Sequence, residues 1–114
     1  METKRLMEAT CPECRGPLSE ITHSEGGEEV REYTCMVEHR YSARTLLNSH
    51  SEVEEKALWS AVVALEESAV LVKAVSDRLP PDVAQRLKQQ VETKLKQAAE
   101  VRAVLERLEA FQTE

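Results

Sequence analysis

The chain has 114 residues, three cysteines and a net charge of −6, which suits one small domain or a module with an appendage and leaves no room for a large catalytic scaffold. Residues 1–45 carry six Lys/Arg against nine Asp/Glu, and residues 46–114 carry nine against twelve, so neither half offers the basic footprint that a phosphate backbone demands. No apolar run approaches the ~20 residues of a membrane span, and the polar start Met1-Glu2-Thr3-Lys4-Arg5 has no signal-peptide character, so reduced thiols and a cytoplasmic location are expected.

The first informative element is Cys11-Pro12-Glu13-Cys14, answered by Cys35 and His39 in Cys-Met-Val-Glu-His. Thiolates two residues apart sit in a tight turn whose N–H groups stabilise their charge, and a second turn some twenty residues later completes a Cys3His set. Every cysteine is used, and the odd count argues against a disulfide framework. Thiolates plus one imidazole favour Zn²⁺ over iron, and four protein ligands leave no open position, so the expected zinc is structural.

Between the two turns, Leu18–His23 and Val30–Cys35 flank Ser24-Glu25-Gly26-Gly27-Glu28, which predicts a β-hairpin with a Gly-Gly turn. Beyond Ser42 the only prolines are Pro80 and Pro81 and there is no glycine, so the remainder reads as helix. Ser42 caps a short turn through Leu47. Ser51 with Glu54 is a capping-box pattern for a long helix from about 51 to 79, and Pro81 opens a second from 81 to about 111. The fold expected is a small α+β chain with a zinc ribbon over 1–45 and a long antiparallel helical hairpin over 46–114.

The first helix is apolar on more than one side. Leu58, Val62, Leu65 and Val72 follow three-four spacing, while Trp59, Val63 and Val70 widen the stripe beyond what one partner helix covers. These seven are the expected interface, and the excess width predicts a homodimer, as a four-helix bundle, or docking on another protein's helix.

The pattern Cys11-Pro12-Glu13-Cys14-Arg15-Gly16, then Tyr33-Thr34-Cys35-Met36-Val37-Glu38-His39-Arg40-Tyr41-Ser42, Leu46-Leu47, Ala57-Leu58-Trp59 and Ala64-Leu65-Glu66-Glu67 resembles one known tail. It is the zinc-ribbon and helical extension at the C-terminus of many bacterial chemotaxis-type protein-glutamate methylesterases, over about residues 11–79. The resemblance implies Cys11, Cys14, Cys35 and His39 as zinc ligands. Two positions depart from the family pattern: Glu38 stands where glycine is usual, and Ser19 where an aromatic residue is usual. The esterase domain itself is missing, with no Gly-x-Ser-x-Gly elbow and no α/β scaffold for a triad, so no catalysis transfers. Glu38 beside His39 invites comparison with zinc deaminases, but the motif order is reversed and all four ligand positions are taken.

His23 beside the Gly-Gly turn and His50 before the long helix read as polar loop residues, one of them an alternative ligand, with His50 the main alternative should Glu38 distort the second turn. The expected function is a non-catalytic zinc-binding adaptor or regulator in a bacterial signalling or chemosensory complex. The alternative is a zinc-ribbon nucleic-acid-binding transcriptional regulator using Arg15, Arg31, Arg40 and Arg44, which are interspersed with acidic residues.

Overall fold

The structure, a computed structural model, describes residues 2–114. It is a small α+β chain: strands β1 (Thr3–Thr10), β2 (Pro17–Glu25), β3 (Glu28–Thr34) and β4 (Arg40–Tyr41), then helices α1 (Ala43–Val75) and α2 (Pro81–Arg107) joined through a 3-10 turn at Ser76–Arg78. The strands form one antiparallel sheet in the order β1-β2-β3-β4. Among the described residues no helix is long and apolar enough to cross a membrane.

The Gly-Gly hairpin is present. Glu25 pairs with Glu28 around Gly26 and Gly27, whose φ values of 60° and 84° meet the requirement of a two-residue turn for positive φ at both central positions. Strand β1 was not foreseen. Only its Met7 is even partly buried, so it lacks the alternation that announces a strand. It is held by pairing along β2, from Thr3 opposite Thr22 to Leu6 opposite Ser19, with Arg5 bonded to Glu20 at 3.3 Å.

Helix α1 starts eight residues before the expected boundary at Ser51. Ser42 and Thr45 cap it reciprocally: the Thr45 N–H donates to Ser42 Oγ at 3.1 Å, and the Ser42 N–H donates to Thr45 Oγ1 at 2.9 Å. Nothing in Asn48-Ser49-His50 breaks the helix once it has begun, so Ser51 is interior and accepts from the Phe111 N–H at 3.2 Å. The helix closes at Val75, where the Leu79 N–H tightens a 3-10 turn onto the Ser76 carbonyl. Pro81 occupies the first turn of α2, which ends at Arg107 rather than near Phe111 because the chain becomes extended at Leu108. The tail then lies against α1, with Phe111 stacked on His50 at 6.4 Å and Thr113 bonded to Asn48 at 3.1 Å.

These tail contacts explain why the chain divides into compact units within α1 rather than at residue 45. One unit runs to Val53 and includes Ala110–Glu114, and the other is Glu54–Glu109. The core of the first is Cys11, Leu18, Cys35 and Tyr41, with Met7, Tyr33 and Leu46 packed around it. In the second, α1 and α2 lie side by side in opposite directions. Arg102 bonds Glu66 at 3.1 Å and lies over the Trp59 ring at 5.4 Å, while Ala69, Val72 and Lys73 share a groove with Lys88 and Val91. Val62 and Ala98 are its buried side chains.

Candidate metal centre

Two turns deliver the four ligands. In the first, the Cys11 carbonyl accepts from the Arg15 N–H at 2.8 Å and the Cys11 N–H donates to the Gly16 carbonyl at 2.7 Å. In the second, the Cys35 carbonyl accepts from the Glu38 N–H at 3.1 Å and the Cys35 N–H donates to the His39 carbonyl at 3.2 Å. The β2–β3 hairpin separates them in sequence and closes the sheet so that they face each other. The ligand atoms of Cys11, Cys14, Cys35 and His39 all lie within 4.8 Å of one another. The four residues expected as ligands are thus brought together, whereas His23 and His50 are not among them. His23 sits 3.6 Å from Glu25 on the hairpin, and His50 lies in α1 against Phe111.

The geometry suits a tetrahedral ion. Bonds of about 2.3 Å to sulfur and about 2.0 Å to nitrogen place sulfur and nitrogen about 3.5 Å apart at the tetrahedral angle. His39 Nδ1 is 3.5 Å from Cys11 Sγ and 3.3 Å from Cys35 Sγ. The other ring nitrogen, Nε2, is held by Glu13 at 3.1 Å. A carboxylate on the far nitrogen fixes the tautomer that leaves Nδ1 free to ligate, as the outer shell of a metal-bound histidine does. Tyr41 adds a second such contact, its hydroxyl 3.2 Å from Cys11 Sγ. Neither Glu13 nor Tyr41 was foreseen as part of the site. The signal for Glu13 was available, since it lies between the two cysteines of the first turn.

Burial would push the Cys11 thiol up, but the Tyr41 hydroxyl and the N–H groups of Cys14 and Glu13 outweigh it and bring the pKa down to about 6. Cys35 is likewise lowered against burial, by the N–H groups of His39 and Val37. At Cys14 the Gly16 N–H favours the thiolate, yet desolvation and the Cys35 and Cys11 sulfurs win and raise it. The same two sulfurs, Cys35 foremost, raise His39. Cys14 is therefore still a thiol at neutral pH and must release its proton when it ligates. Protons compete with the metal, so affinity falls as pH falls. Competition titrations against a chromophoric chelator should show affinity rising about tenfold or more per pH unit above neutrality, and a flat profile would remove Cys14 from the ligand set.

Glu38 adopts φ 67°, where a side chain is strained, and Arg15 shares the condition at φ 66°. Glu38→Gly should stabilise the metal-loaded protein by about 0.5–1 kcal/mol in urea unfolding, the left-handed strain relieved exceeding the added chain entropy.

Of the expected interface residues, Val62 is fully buried, and Leu58, Leu65 and Val72 are half-buried. Trp59, Val63 and Val70 remain exposed. No family model, curated protein or solved structure matches the chain.

Proposed function

We propose that the chain is a zinc-ribbon adaptor: a structural Zn²⁺ holds the sheet unit, and the helical unit docks another protein. The observation that carries this is the closed Cys3His cluster, in which Glu13 and Tyr41 already occupy the positions around the ligands. Such a site has no ligand position for water and hence no place to activate a nucleophile. Three sulfurs and one imidazole nitrogen in tetrahedral spacing favour zinc by ligand type and geometry.

The docking surface is supported by a second exposed row on α1, Leu71 at 62% and Val75 at 44% exposure, with Ala64 and Ala57 about two and four helical turns before Leu71. The sequence resemblance suggests a bacterial signalling or chemosensory assembly as the setting. A nucleic-acid role is weakened by the charges around the sheet. Arg31 is paired with Glu29, Arg40 with Glu32 and Arg5 with Glu20, so three of the cations around the sheet are already offset by carboxylates that a phosphate would have to displace.

The test is affinity capture from nuclease-treated extract of the source cells, comparing the wild type with Leu71→Asp/Val75→Asp. Recovery of a signalling protein by the wild type and its loss from the variant would support the adaptor. Recovery only of nucleic-acid-associated proteins, unaffected by the helix substitutions, would overturn it.

A further inference from the structure

Six exposed residues of the helical unit form a palindrome. Lys56, Trp59, Val63, Val70, Ala74 and Asp77 are spaced three, four, seven, four and three residues apart. At ~100° per residue the five from Lys56 to Ala74 fall within a wedge of about 60° on α1, and Asp77 follows in the 3-10 turn just past the helix end at Val75. Trp59, Val63 and Val70 are 44%, 49% and 66% exposed, and Lys56, Ala74 and Asp77 are exposed with them. This wedge is distinct from the Leu71/Val75 row.

We infer that this wedge pairs with its own copy, antiparallel, about a two-fold axis between Glu66 and Glu67, which extends the adaptor reading by naming a second chain as the occupant. Such an axis sets each Val63 against Val70 of the other copy, the large Trp59 against the small Ala74, and Lys56 against Asp77. An isologous contact requires this self-complementarity, in which each residue and its counterpart exchange places. Size and charge are both matched: bulk meets a gap, and cation meets anion at each end of a contact about 32 Å long.

A parallel pairing would instead oppose Lys56 with Lys56 and Asp77 with Asp77. The shallow depression lined by Trp59, Ser60, Val63 and Ala64 is the seat for Val70 and Ala74 of the other copy. Glu66 and Glu67 flank the axis; Arg102 offsets Glu66, which it holds at 3.1 and 3.3 Å beside Trp59, and Glu67 lines the depression together with Lys56.

The experiment is sedimentation velocity on the metal-loaded full chain over about 1 to 200 μM, comparing the wild type with Lys56→Asp, Asp77→Lys, the double swap Lys56→Asp/Asp77→Lys, and Val70→Asp. The wild type should dimerise. Either single charge reversal turns two attractive pairs into two repulsive ones and should weaken the dimer about tenfold. The double swap should restore it to within about threefold. Val70 is exposed, so Val70→Asp should leave circular dichroism unchanged while giving a monomer.

A wild type that stays monomeric, a dimer indifferent to Val70→Asp, or a double swap no tighter than the singles would overturn the pairing. Any of these leaves the adaptor reading standing, because that is decided by capture through Leu71 and Val75. Lost capture with an intact dimer would do the reverse.

Discussion

Chelating the metal-loaded protein, or replacing Cys35 with Ser, should unfold the sheet unit while leaving most of the helical unit intact. Two of the four buried core residues of the sheet unit are themselves cysteine ligands, so its apolar core reduces to Leu18 and Tyr41 with partly buried Met7, Tyr33 and Leu46 around them. A core of that size cannot offset the chain entropy of some fifty residues. A structural zinc in the proposed site would contribute about 10–16 kcal/mol of apparent binding free energy, enough to make up that shortfall.

Chromophores separate the two units. Tyr33 and Tyr41, the only tyrosines, are in the sheet unit, and the single tryptophan, Trp59, is in the helical unit. Near-UV circular dichroism should lose its tyrosine bands on chelation while Trp59 emission stays unchanged. Coincident loss of both would mean that the units fold as one. Retention of the tyrosine bands in Cys35→Ser would mean that the cluster does not hold the sheet.

The second large effect is expected at Val62. It is completely buried, and the only other buried side chain of the helical unit among the described residues is Ala98. Val62→Asp places a carboxylate in the middle of the helix pair with no cation assigned to it, and should cost about 3 kcal/mol or more. That is a large share of the stability such a small unit possesses, so urea unfolding followed by Trp59 emission should shift to much lower denaturant or disappear. Leu71→Asp, nine residues along the same helix but 62% exposed, should cost about 1 kcal/mol or less. Equal losses at the two positions would contradict the burial pattern.

The contrast between these positions also marks how far the sequence could be read. The apolar width of α1 was visible as a pattern, and three-four spacing set Val62, with Leu58, Leu65 and Val72, apart from Val63, Trp59 and Val70; the first set is covered and the second exposed. What the spacing could not give is that Val62 alone of that set is completely enclosed, which depends on the placement of α2, fixed in part by Arg102 on Glu66. That Cys11, Cys14, Cys35 and His39 come together was legible, since Cys-x2-Cys and Cys-x3-His are local patterns whose spacing carries the chemistry.

What was hidden is the rest of the sheet and its contacts. Strand β1 has almost no buried face, so its pairing with β2 leaves no periodic trace. Tyr41 reaches Cys11 across thirty residues of chain, a contact that only the folded sheet creates. The helix start moved because a cap is a competition: the reciprocal Ser42–Thr45 bonds come first, and no glycine or proline follows to stop the helix before Ser51. The strain at Glu38 was marked in the sequence only by the resemblance, which expects a glycine there. Its counterpart at Arg15 had no such marker.

X-ray absorption at the zinc edge on protein purified without chelators, with metal content measured on the same sample, tests the central claim most directly. One zinc per chain is predicted, with three sulfur neighbours at about 2.3 Å, one nitrogen at about 2.0 Å and no further oxygen. A metal-free protein that retains its sheet, or a zinc with an exchangeable oxygen ligand in place of Cys14 or His39, would contradict the closed structural site.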